Sequence, residues 1–317
     1  MIITRAPFRI SLFGGSTDYK CFYKEHGSFI IGTTINKYIY TSFRFRPSMV
    51  SDHNVIAYSS LETPEQIKDI QHPLIRETLK YCNIQDTVDL HFFADIPSRT
   101  GLGGSSAFCV SLLKALKPDA NKKYISKAAI EIERNILAES GGIQDQIWSS
   151  YGGFNMIEIN TDGNFVVKPM PLSEEFLFQL SKSMILIYTN TQRHTNTIAQ
   201  SYENIDKSDL LSIAYESRRL FTQEDIKSIG KLLLESWKVK KSISNLITTS
   251  YIDEMSNTLL LNGLYGLKLL GSGGSGFILG IGSPTSIVKA KEIFKSLVLD
   301  FDFENEGCTP VFKNNGY

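Results

Sequence analysis

Apolar positions along this chain follow two periods, and the switches between them outline its elements. Ile2 to Phe13 alternates enough to read as a strand, which breaks at Gly14-Gly15-Ser16-Thr17-Asp18-Tyr19. His26-Gly27-Ser28 turns the chain into Phe29 to Ile35, and Tyr38 to Phe45 is again rich in β-formers, which predicts consecutive strands. Residues 64–81 carry a mixed helical pattern in Ile67, Ile70, Leu74, Ile75 and Leu79, and Val88 to Ile96 is a further strand. That strand runs into Pro97-Ser98-Arg99-Thr100-Gly101-Leu102-Gly103-Gly104-Ser105-Ser106-Ala107. Phe108, Leu112 and Leu116 then recur at every fourth position with Cys109 and Leu113 beside them, so a helix with an apolar face starts directly from the loop.

The helical period returns at Lys122 to Ala138, with Ile125, Ala128, Ala129, Ile132, Ile136 and Leu137 inward. Gly141-Gly142-Ile143-Gln144-Asp145-Gln146 interrupts it before a short helical stretch. Strand signals at 156–159 and 165–167 lead to a proline-containing link, Lys168 to Leu172. Beyond it come a buried-type strand at 183–188, long helical patterns at 195–216 and 226–246, and a strand entering a glycine cluster, Leu269 to Gly280. Residues 301–307 read as a closing strand and turn.

Composition narrows the class. The chain has 317 residues, 42% of them hydrophobic, enough for two domains or one large α/β unit; the proline link places a boundary near residue 170, giving units 1–170 and 171–317. Lys plus Arg and Asp plus Glu number 33 each, so no global surplus recruits nucleic acid or an anionic membrane, and any anion site must be local. The opening residues lack a signal-peptide core and no apolar stretch reaches membrane-spanning length, which makes the cytoplasm the expected location. Cys21, Cys82, Cys109 and Cys308 form no C-x-x-C pair, and the histidines are scattered, so neither a disulfide framework nor a zinc site is expected.

The loop before the 108–116 helix is the strongest chemical signal. Its helix N-terminus offers unpaired N–H groups and a positive dipole end, and Gly101, Gly103 and Gly104 permit close backbone approach, which suits an oligophosphate. Ser105 and Ser106 add hydroxyls able to cap the helix or to touch a phosphate-bound metal; an ordinary Gly/Ser loop with a serine cap is the plainer alternative. The loop lacks the lysine of a Walker A motif and the partners of a dinucleotide site. Arg9, in the middle of an apolar strand, either faces solvent or requires a carboxylate or phosphate partner. Arg44 and Arg46 share one sheet face, solvated or turned to a phosphate. Asp145 in its glycine-framed loop suits the orientation and deprotonation of an alcohol, and equally suits a helix cap. Glu131 and Glu133 lie two apart on one helix and cannot point to the same place.

Three stretches together resemble the motifs of the GHMP kinases, and they span nearly the whole chain. Residues 97–107 resemble the P-x-x-x-G-L-G-S-S-A signature with one additional small residue, residues 5–19 the first motif, and residues 269–280 the third, G-A-G-G-G-G-F. Gly141 to Asn155 is similar to the segment carrying the catalytic aspartate in the heptose 7-phosphate kinase branch, with Gly142 where that pattern has lysine. The resemblance implies a two-domain α+β fold: an N-terminal domain with a left-handed βαβ crossover, a C-terminal ferredoxin-like domain, and the active site in the cleft between them. It implies ATP and Mg2+, with Gly101, Leu102, Gly103, Gly104, Ser105, Ser106 and Ala107 on the nucleotide and Gly273 and Gly274 closing over it. Ser105 or Ser106 with Glu133, or failing that Glu131, would hold the metal. Arg9 would steady the transferring phosphoryl group and Asp145 accept the hydroxyl proton. Gly15, Ser16, Thr17 and Asp18 would bind the sugar, and Arg193 the phosphate already on it. Asp18 also fits an Asx turn. The expected reaction is phosphorylation of D-glycero-D-manno-heptose 7-phosphate at its anomeric hydroxyl; a kinase for another sugar such as fucose or galactose, or a non-catalytic binder on the same fold, are the alternatives.

Overall fold

Two sheets carry the chain, and each motif sits where a strand of one of them ends. The computed structural model describes residues 1–47, 49, 53–191, 198, 201 and 205–314. Strand β1 (Ile2–Phe13) leads through helix α1 (Lys20–His26) to β2 (Ser28–Phe45), then β3 (Val55–Ala57), β4 (Leu61–Glu62), α2 (Pro73–Tyr81) and β5 (Val88–Ala94). Helices α3 (Gly104–Leu116), α4 (Lys122–Ile130) and α5 (Gln144–Tyr151) follow, then β6 (Asn155–Ile159), β7 (Phe165–Pro169) and α6 (Glu174–Lys182). The second half holds β8 (Met184–Tyr188), α7 (Ser208–Thr222), α8 (Ile226–Ile243), α9 (Ser250–Leu261), β9 (Leu264–Leu269), β10 (Phe277–Gly282), α10 (Pro284–Phe294), β11 (Val298–Leu299), β12 (Phe303–Glu304) and β13 (Thr309–Lys313).

The first sheet is organised on the long β1–β2 pair, with the order β13-β1-β2-β5-β3-β4; β6 and β12 also pair with β2. From Ala6 to Phe13 every residue of β1 is buried, so the alternation read from its sequence marks a strand covered on both faces. Helices α3 and α5 lie on β1 and β2, and α7 reaches the same strands through Phe221 on Phe13 and Tyr215 stacked on Phe29. The second sheet has the order β11-β8-β10-β9 with antiparallel neighbours throughout. Helices α7–α9 separate β8 from β9 and α10 separates β10 from β11, which makes the β-α-β-β-α-β sequence of a ferredoxin-like unit. The chain therefore has the α+β, two-sheet architecture expected of it. β12 and β13 then return to the first sheet, Ile2 pairing with Lys313 and Phe303 with Ile35.

Several elements differ from the sequence pattern. The helix expected over 122–138 is α-helical only to Ile130; residues Glu131–Ile136 widen into a π-helix, with Leu137 N–H bonded to the Ile132 carbonyl five residues back. The pattern at 64–81 becomes a 3-10 turn at Ile67–Asp69 and α2, because Pro73 fits the first helical turn and is not tolerated inside a helix. Within the pattern at 195–216, helix α7 begins only at Ser208 and continues to Thr222. Helix α9 was not anticipated, although Thr249 caps it by accepting the Ile252 N–H. Among the described residues no helix is long and apolar enough to cross a membrane.

Candidate active site

An arginine is retained in buried β1 because its whole fork is occupied. Arg9 Nε and Nη2 each donate to one carboxylate oxygen of Asp145 at 2.8 Å, and Nη1 donates to the Gly101 carbonyl at 2.6 Å. One guanidinium thus ties the strand to the glycine loop and to the first turn of α5, a geometry a lysine cannot reproduce. The Asp145 side chain stays 23% exposed against 5% for Arg9, so the carboxylate presents an open side to the cleft.

Asp18 braces the same turn from behind. Its Oδ1 accepts from the Ser16 N–H at 3.1 Å and the Gln144 side-chain amide at 2.9 Å, and Oδ2 accepts from the Gln144 N–H at 3.0 Å. Burial raises its pKa above the ordinary carboxylate value, the Gln144 N–H opposes that, and the nearby charge of Asp145 adds to it. A Cβ at position 142 would overlap Asp18 Oδ2, so the glycine there is a condition of this approach. Gly15 and Ser16 line the cleft beside Asp18, whereas Thr17 donates its hydroxyl to the Gly14 carbonyl and meets Ser28, closing the turn.

The glycine loop presents backbone, as its composition suggests. Gly103 takes φ +79° immediately before α3, which starts without a side-chain cap and so leaves its first-turn N–H groups to a ligand. Gly101, Gly103, Gly104, Ser105 and Ser106 line the cavity; the side chains of Leu102 and Ala107 are in the core. Ser105 is exposed, but Ser106 is buried and donates to Glu133 Oε2 at 2.8 Å, an oxygen that also accepts from the Gln146 amide. Glu133 Oε1 is buried and has no protein hydrogen-bond partner. A hydroxyl beside an unsatisfied carboxylate oxygen is a hard donor set that fits magnesium, which takes one or two protein oxygens and completes its shell with phosphate and water. No three His, Cys, Asp or Glu side chains converge as a protein-only cage among the described residues. Glu131 instead accepts from Asn135 on the exposed side of the helix.

These groups share one cavity of about 1020 Å³ whose walls combine an aromatic cluster with charged groups. Phe108 stacks on Phe92 at 4.2 Å and on His72 at 5.3 Å between ring centroids. From the second half come two buried lysines that sequence reasoning missed. Lys240 of α8 donates to the Gly271 carbonyl, and Lys268 of β9 to the Leu12 carbonyl at 3.0 Å. Burial, and then the charge of Arg9, pushes Lys240 down to about 8; burial and the neighbouring Lys240 take Lys268 well below the ordinary lysine value. Their one signal in the sequence is position: Lys240 falls on the inward face of α8 with Ile229, Leu233 and Trp237.

The third glycine cluster meets the first directly, since Phe277 N–H bonds the Thr100 carbonyl. Gly271 and Ser272 line the cavity, while Gly273 and Gly274 pack on Ile247, whose carbonyl accepts the Gly274 N–H at 2.8 Å. Arg44 and Arg46 both turn to Asp89 on their sheet face. Arg193 lies outside the described residues.

Residues 70–153 match the family model for the GHMP kinases N terminal domain. Over 96% of its length the chain is 27% identical to the D-glycero-alpha-D-manno-heptose 7-phosphate kinase of Campylobacter jejuni, covering 97% of that protein. Residues 70–153 thus form a GHMP kinase N-terminal domain. GHMP kinases are ATP-dependent phosphotransferases. A D-glycero-D-manno-heptose 1-phosphate kinase from Bacteroides thetaiotaomicron superposes with a TM-score of 0.81 at 23% identity, over 99% of this chain and 100% of that one. The galactokinase of Lactococcus lactis, solved with galactose, superposes with a TM-score of 0.73 at 14% identity, over 98% and 95%. At these identities the two structures extend the GHMP kinase fold across the whole chain.

Proposed function

We propose that this GHMP kinase transfers the γ-phosphoryl group of ATP to the anomeric hydroxyl of a phosphorylated heptose, foremost D-glycero-D-manno-heptose 7-phosphate, giving the 1,7-bisphosphate for nucleotide-activated heptose synthesis. The observation that carries the reading is the Arg9–Asp145 pair, held between the Asp18 turn and the glycine loop that opens α3. The first-turn amides of α3 take the ATP phosphates. Ser106 and Glu133 hold magnesium, which supplies neutralising charge at those phosphates. Asp145 orients the acceptor hydroxyl and takes its proton as the oxygen bonds to the γ-phosphorus. The bond from that phosphorus to the bridging oxygen breaks, and ADP leaves. Arg9 fixes the Asp145 carboxylate and balances charge building beside Gly101. Gly15, Ser16 and Asp18 face the sugar.

The names of the two heptose kinase relatives support the acceptor class and differ in the carbon that carries phosphate. In this reading residues 1–170 are the nucleotide and catalytic unit and residues 171–317 the unit that completes the cleft, lending β12 and β13 to the first sheet. The reaction belongs to the cytoplasm, where ATP and sugar phosphates are held. A coupled assay of ADP release over heptose 7-phosphate, heptose 1-phosphate, free heptose, galactose and fucose tests it. Turnover is expected with the 7-phosphate and little with free sugars. Equal turnover of galactose or fucose transfers the enzyme to another sugar, and no ADP with any of them leaves a non-catalytic binder.

A further inference from the structure

Lys240 and Lys268 are buried lysines for which phosphoryl transfer, as described, has no task. They come from different elements, α8 and β9, yet both line the catalytic cavity with Arg9, Asp18 and Asp145. Their hydrogen-bond partners are main-chain carbonyls, Gly271 and Leu12, and among the described residues neither has a carboxylate within ion-pair distance. The two cavity carboxylates whose charge reaches Lys240 are already engaged, Asp145 by Arg9 and Asp18 by Gln144 and Ser16. Burying an ammonium group without a counter-charge is costly, and two converging on one cavity call for an anion to share.

The ATP phosphates have their own receptor in the α3 amides and the Ser106–Glu133 oxygens. Lys268 instead reaches under the acceptor turn, bonding the carbonyl of Leu12 two residues before Gly14, and Gly142 beside Asp18 has no room for a charged side chain. We propose that Lys240 and Lys268 form the receptor for a phosphate monoester carried by the acceptor, making them the residues that select a phosphorylated over a free sugar. This rests on the kinase reading and assigns its specificity to the second half of the chain. The anion also restores both lysines to the charged form that burial disfavours.

The test combines calorimetry with kinetics on the full chain carrying Lys240→Gln or, because a buried substitution can disturb folding, Lys268→Met, which keeps the aliphatic stem. Heptose 7-phosphate, free heptose and MgATP are titrated into each. Loss of tenfold or more in affinity for the sugar phosphate is expected, with free heptose and MgATP within about twofold and the effect appearing in acceptor KM rather than kcat. A fall in kcat at unchanged acceptor KM would assign the lysines to the transferring group and overturn the proposal, as would an equal loss of MgATP affinity or no loss in either variant. Were the wild-type protein to release no ADP, the kinase reading would fail while the titrations still decided the phosphate receptor.

Discussion

Asp145 is held by two guanidinium hydrogen bonds and keeps an open side, so its shape and its basicity can be separated by one substitution. Asp145→Asn preserves the outline and removes the proton acceptor; turnover should fall by about two or more powers of ten, the range of general-base losses, with ATP affinity by calorimetry nearly intact. Undiminished turnover would remove Asp145 from the chemistry. Arg9 and Asp145 were legible in the sequence because each broke its local pattern, a charge in an apolar strand and a carboxylate framed by glycines. The choice between Glu131 and Glu133 was not. It depends on the angular step per residue, and the π turn at Glu131–Ile136 abandons the regular helical step on which periodicity arguments rest. Lys240 was hidden for another reason: α8 also carries Lys238 and Lys241, and only its packing against β9 and β10 decides which lysine is inside.

The two glycine loops form one joint between the sheets, and Gly101 is one of its tightest points. It adopts φ +78°, and a Cβ there would overlap the Leu270 carbonyl oxygen. Gly101→Ala is expected to cost at least about 1 kcal/mol from the left-handed backbone alone, with the overlap added to it. The loops should part and the Arg9 bond to the Gly101 carbonyl loosen. A lowered urea midpoint together with reduced kcat is the expected result; an unchanged midpoint would show that the joint yields freely. The glycine clusters themselves were plain in the sequence, but which glycines meet the cavity was not. Gly271 and Ser272 do so because β9 ends at Leu269, whereas Gly273 and Gly274 are taken up by Ile247.

Across the whole molecule, buried charge should leave a signature in the pH dependence of stability. Lys240 titrates at about 8 in the folded protein against an ordinary 10.5, with Arg9, Lys268, Asp18 and Asp145 as its charged neighbours. Between those values the unfolded chain binds more protons than the folded one, so this lysine's contribution to the unfolding free energy rises with pH from about 8 to 10.5 and is level outside that window. Urea unfolding of the wild type and Lys240→Met at several pH values should show the difference between them changing in that direction. A flat difference would mean that the ammonium is not desolvated as the fold implies. The strand content and the three motifs gave the architecture its outline, and residues 301–307, which contain β12, read as a closing strand; β13 and the return of both strands to the first sheet left little mark, because so few residues do not register as a period. That return bears on synthesis. Ile2 leaves the ribosome long before Lys313 and must wait for it before its outer edge is paired. Throughout translation the nascent first sheet carries a bare flank, so chains stalled before residue 309 should be the ones that chaperones retain or that aggregate.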